Sequence, residues 1–211
     1  MIKEILRHSA NEAVIAAEKL NTEEVLLFMN QVAECMAETF RSGNKIILAG
    51  NGGSLCDAAH FAEELTGFFR KKRPPLPALV LNDPGHLTCT GNDLGFESIF
   101  SRGVEAFGRP GDLFIGLSTS GQSENILRAF EVAKKRALKT VAFLGKDGGK
   151  VAGLADYEWV VRGFDYSDRI QEAHMTAIHI IIEALEELLF PTNRCTKELE
   201  SSYSLSSTEA P

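Results

Sequence analysis

Two short stretches of the chain concentrate groups that can hold an anion or move a proton. The first, Gly50-Asn51-Gly52-Gly53-Ser54, follows the apolar run Lys45-Ile46-Ile47-Leu48-Ala49 and leads into Ala-rich sequence. A strand, a glycine-rich turn and a helix N-terminus in that order bring unpaired backbone N–H groups and the positive end of a helix dipole to one point, which suits an anion or a polyol. Further along the same predicted helix stand His60 and Glu64. Positions i and i+4 are roughly 40° and about 6 Å apart, so imidazole and carboxylate point the same way. Such a pair can hold a divalent metal or act as a base with its orienting partner. It is equally the pattern of a solvated histidine beside an exposed acid.

The second stretch is Ser118-Thr119-Ser120-Gly121-Gln122-Ser123, again between a predicted strand and a predicted helix. Four hydroxyls beside free amides form a phosphate site of neutral donors. Ser123 alone would be explained by helix capping, but three further hydroxyls exceed what capping requires. Two other groups are open to either reading. Asn92 and Asp93, in Thr90-Gly91-Asn92-Asp93-Leu94-Gly95, can bond sugar hydroxyls or simply form a turn. Gln171 and His179 share the last helix, where His179 stands among isoleucines as a buried imidazole in need of a partner. Eight residues put them about 12 Å apart along the axis and roughly 80° around it, so joining both to one metal within a single helix would stretch their side chains, and a site using both can draw on more than one protomer.

These groups need a scaffold, and hydrophobic periodicity outlines one. Residues 1 to about 20 trace an imperfect apolar stripe, and Asn21 with Glu24 reads as a capping box opening a stronger helix that ends near Gly43. Neither helix has a sheet edge to cover at that point, so residues 1–43 are expected to pair with copies of themselves and hold an oligomer together. From Lys45 strands alternate with helices: 45–49, 78–81, 112–118, 139–144 and 157–161 are short apolar runs, and helices are predicted over 123–136 and from about Asp168 to Leu189. That alternation defines an α/β fold, a five-stranded parallel sheet flanked by helices over 44–190, flavodoxin- or Rossmann-like. Ligands of such sheets bind at the carboxyl ends of the strands, where both turns lie. Residues 191–211 are rich in Ser, Thr and Glu and are expected to lie outside the fold.

Composition narrows the function. The formal net charge of −7 over 211 residues argues against a nucleic-acid surface, though a nest of amides can hold a phosphate whatever the total. Cys35, Cys56, Cys89 and Cys195 form no Cys-x-x-Cys pair, and the N-terminus lacks the apolar core of a signal peptide. A cytoplasmic protein is expected.

Taken together, Gly50-Asn51-Gly52-Gly53-Ser54, His60 with Glu64, Gly91-Asn92-Asp93, Ser118-Thr119-Ser120-Gly121, Gly145-Lys146-Asp147-Gly148-Gly149 and Arg169-Ile170-Gln171-Glu172 through His179 resemble the sugar isomerase (SIS) domain family, and within it the phosphoheptose isomerases. The resemblance covers nearly all of residues 1–190. It implies an enzyme that converts sedoheptulose 7-phosphate into D-glycero-D-manno-heptose 7-phosphate, the first step toward the heptose of lipopolysaccharide. It further implies a homotetramer with active sites between subunits, and a zinc ion in some members. By position, Ser118, Thr119, Ser120 and Ser123 form the phosphate loop. Asn51, Gly52, Gly53, Ser54, Asn92, Asp93 and Asp168 line the sugar, together with Glu64 and Gln171. His60, Glu64, Gln171 and His179 form the metal and acid–base set, with Glu64 as base and His179 as acid. Phe68 stands where the family usually has an arginine, two residues before Arg70, and Leu55 stands where some members have histidine. A non-catalytic SIS protein, binding a sugar phosphate or serving as adaptor to a replication initiator, is the competing expectation. A sugar-sensing transcription regulator would need a DNA-binding module that the first 44 residues do not provide.

Overall fold

The computed structural model describes residues 1–191. Among them are five strands, β1 (Ile46–Gly50), β2 (Ala78–Val80), β3 (Leu113–Ser118), β4 (Lys139–Gly145) and β5 (Tyr157–Val161). Seven α-helices accompany them: α1 (Ile2–Glu18), α2 (Glu23–Arg41), α3 (Gly53–Thr66), α4 (Pro84–Leu94), α5 (Ile99–Phe107), α6 (Glu124–Lys135) and α7 (Ser167–Leu189). The strands form one parallel sheet in the order β2-β1-β3-β4-β5. The expected tail lies, apart from Pro191, outside the described residues.

The strands read as continuous apolar runs because both faces of the sheet are covered, yet their side chains still alternate. Ile46, Leu48, Leu113, Ile115, Leu117, Val141 and Phe143 point into one core, shared with α2, α3 and α7. Ile47, Ala49, Phe114, Ala142 and Leu144 point into the other, shared with α5 and α6. In this strand order the chain leaves β1 toward one edge of the sheet and returns at β3 to build the other. The switch point therefore falls between β1 and β3, the two strands that end in Gly50 and Ser118.

Two expectations about elements are corrected. The second helix is capped at Thr22, without a side-chain capping bond, and Asn21 belongs to a short 3₁₀ turn, so the Asn21–Glu24 capping box does not form. Val25, Phe28, Met29, Val32, Ala33 and Met36 of that helix are buried in the first core, while Leu26 and Leu27 are exposed. Finally, Asn92 and Asp93 do not form a turn but close the last turn of α4. In α4 the apolar pattern is diluted by Gly85, Gly91, Thr88 and Thr90, whereas α5 carries a helical pattern in Ile99, Phe100, Gly103, Val104 and Phe107 that the reading of the sequence missed over its nine residues. A start signal was there to read: Asp83 caps His86 N at 2.7 Å and Pro84 holds the first helical position.

Candidate active site

Gly52 begins the first turn's work with φ +56°, a conformation suited to glycine, and serves as the N-cap of α3. A Cβ on Gly50 would lie 2.4 Å from Ser54 O, so the turn closes only with glycine there. At Gly53 a Cβ would meet Gln171 Nε2 at 2.3 Å, which places the Gln171 amide directly over the start of α3.

The serine turn is held by its own hydroxyls and by its neighbours. Ser118 Oγ accepts from Gly121 N at 3.1 Å, and Ser120 Oγ accepts from Gln122 N at 3.2 Å. Thr119 Oγ1 donates to Ser167 Oγ at 3.0 Å, which ties the turn to the first residue of α7. Ser123 occupies the N-cap position of α6, but its hydroxyl makes no capping bond. Gly121, at φ +61°, would clash through a Cβ 1.9 Å from Gly148 O. The Gly148-Gly149 turn is thus the backing of the serine loop. Asn51, Ser54, Leu117, Ser118, Thr119, Ser120 and Ser123 together line a small cavity of about 50 Å³.

A second group forms where α3 and α7 run side by side. The ligand atoms of His60, Glu64 and His179 all lie within 4.8 Å of one another. His60 Nε2 is 3.3 Å from Glu64 Oε1, and the His60 and His179 rings meet edge to face at 5.2 Å between centroids. Phe69 stacks on the other side of His179, with centroids 5.4 Å apart and planes 17° from parallel. Burial, and after it the charge of His60, pushes the His179 imidazole below the usual histidine range. On the same face of α3 stands Asp57, which the sequence does not single out. Its Oδ2 is buried without a hydrogen-bond partner among the described residues, and burial pushes its carboxyl up to about 6.

Several expected site residues are placed differently from the reading of the sequence. His179 is only partly buried; the imidazole that sits fully in the core is His174, whose Nε2 lies 2.9 Å from Leu144 O. Glu64 and His179 come together within one chain. Gln171 stands about 12 Å earlier along α7, with its amide against Gly53. Asn51 spends its side chain on Asn125, which sequence reasoning missed along with Ser167. Asn92 and Asp93 are exposed and bond each other at 2.7 Å; among the described residues neither bonds either turn. Asp168 is exposed beside Arg169, whose backbone N–H holds its carboxyl below the usual range. Arg70 pairs with Glu183, sixteen residues and so about 24 Å along α7 from the serine loop's contact at Ser167. It cannot replace, within its own chain, the arginine missing at Phe68.

An open-ended parallel sheet with two polar turns at its switch point and an imidazole–carboxylate cluster behind them is the plan of a sugar-isomerase domain. Residues 10–145 match the family model described as "SIS domain", and the chain belongs to that family. Its relatives within the family are phosphoheptose isomerases. The chain is 53% identical over 174 residues to the enzyme of Fusobacterium nucleatum, covering 82% of this chain and 89% of that one. To the enzyme of Vibrio cholerae it is 49% identical over 188 residues, covering 89% and 98%. Among solved structures, a phosphoheptose isomerase from Neisseria gonorrhoeae superposes with a TM-score of 0.83 at 35% identity, covering 89% of this chain and 100% of that one.

Proposed function

We propose that this protein isomerises sedoheptulose 7-phosphate to D-glycero-D-manno-heptose 7-phosphate and so supplies heptose for lipopolysaccharide. The observation that carries the reading is the gathering of His60, Glu64 and His179 into one cluster. A protein that only bound a sugar phosphate would need the serine turn and nothing more.

Moving a carbonyl from C2 to C1 requires one carbon-bound proton and one oxygen-bound proton to change places. Glu64 takes the proton from C1 while O2 is protonated, giving the enediol. Return of a proton to C2 and loss of the proton on O1 then leave the aldehyde at C1. His179 exchanges protons with the two oxygens, giving one to O2 and taking one from O1. The phosphate is held by Ser118, Thr119, Ser120 and Ser123, and no lysine or arginine is required of that loop.

Two nitrogens and a carboxylate within 4.8 Å of one another suit zinc, for which ligand bonds of about 2.0–2.2 Å are usual. When bound there by His60, Glu64 and His179, zinc would polarise the carbonyl and stabilise the oxyanion. The active site is completed between subunits of a homotetramer. Two features support this. Ser54, at the phosphate cavity, and His60 are six residues apart, on faces of α3 about 120° from each other. Along α7, Ser167 and His179 are about 18 Å apart, against on the order of 10 Å for seven carbons and a phosphorus. A partner's serine loop can approach the cluster from outside.

The test is to incubate the protein with sedoheptulose 7-phosphate, with and without a chelator, and follow the aldose by NMR. Formation of the aldose is expected; its absence under both conditions would overturn the reading. No helix among the described residues is long and apolar enough to cross a membrane.

A further inference from the structure

We propose that Asn125 is a positioning residue for this reaction, acting through Asn51 to hold the two ligand turns in register. Asn51 Nδ2 donates to Asn125 Oδ1 at 2.9 Å, and Asn125 Nδ2 donates to Asn51 Oδ1 at 3.0 Å. Asn51 belongs to the turn after β1 and Asn125 to the first turn of α6, just beyond the serine loop. Asn125 is only 2% exposed, so losing its partner would leave a buried amide short of a hydrogen bond.

Two antiparallel amide bonds in one plane fix both the separation and the mutual tilt of the groups that carry them. The serine loop is already fixed on its other side: Val151 N donates to Gly121 O at 3.1 Å, and Gly121 rests on Gly148. The bases of the two turns are set by strand pairing, since Gly50 stands opposite Leu117. What remains is the gap between the turns above the sheet, and the amide pair spans it. Asn51 lines both the small cavity at the serine turn and a larger one of about 390 Å³ that Asn125 also lines. The consequence for Asn51 is that the direction of its side-chain amide is set by Asn125.

Only the identity of the substrate in this proposal rests on the isomerase reading, and a double-mutant cycle separates the two. KM and kcat for sedoheptulose 7-phosphate would be measured in Asn51→Ala, Asn125→Ala and the double variant, together with the dissociation constant of inorganic phosphate by calorimetry and the melting temperature. Each single change is expected to raise KM and the phosphate constant about tenfold. kcat should stay within about twofold, and the double variant should be no worse than either single one. Multiplying effects, impairment in Asn51→Ala alone, or a lower melting temperature with both constants unchanged would overturn it. Should Asn125→Ala fail to fold, Asn125→Ser takes its place under the same criteria. Wild-type protein inert toward the sugar would defeat the isomerase reading, while the phosphate constants would still judge the amide pair.

Discussion

His174 and His179 lie on one helix five residues apart, and their surroundings give them different work. His174 is enclosed by Phe143 and Trp159 with Nε2 against Leu144 O, and burial pushes it down from 6.5 to about 4. The unfolded chain therefore takes up this proton first as pH falls. Stability present above pH 6.5 should be lost progressively toward pH 4, to the extent of about 3 kcal/mol. Urea unfolding at several pH values would show a smaller acid loss in His174→Gln, which can still donate to Leu144 O; an unchanged slope would contradict this. The sequence did not separate these two histidines, because both lie in an apolar helical run and one step of about 100° per residue decides which faces the sheet. His60 with Glu64 was legible because spacing alone fixes that pair. Asn125 was not, since its meaning depends on a residue 74 positions away.

At the scale of elements, the segment after α3 shows how the cluster is kept in place. Glu186 and Arg73 form an ion pair at 2.8 Å with both side chains 1% exposed. The Glu186 carboxylate also accepts from the backbone N–H groups of Phe69, Arg70 and Lys71. Arg73 in turn donates to the carbonyls of Glu64, Leu65, Gly67 and Pro74. The result is a segment pinned to α7 with Phe69 against His179. Removing one partner strands a buried charge, so Glu186→Ala should cost about 3–5 kcal/mol in denaturant unfolding; a loss under 1 kcal/mol would show that water reaches the pair. The long helices were legible because their period repeats over many residues, and the strands because each is a short unbroken apolar run between turn residues. α4 was not, because its glycines and short polar residues leave tertiary contacts to hold it, and α5, though amphipathic, is too short at nine residues to repeat its pattern.

Taken whole, the molecule exposes Ile2, Ile5, Leu6, Val14 and Ile15 on α1 and Leu26 and Leu27 on α2, while the rest of the α2 apolar face lies in the core. These exposed side chains are where an oligomer contact through the first two helices can be tested. Ile5→Glu combined with Leu6→Glu should leave the circular dichroism unchanged, break the assembly in sedimentation and, with sites shared between subunits, abolish turnover; an intact oligomer would assign its contacts elsewhere. The central claim is chemical, and it is tested most directly by turnover of sedoheptulose 7-phosphate in Glu64→Gln and His179→Ala. Each is predicted to lose at least about 10²-fold in kcat with the fold retained. Near-normal turnover in either would contradict the account.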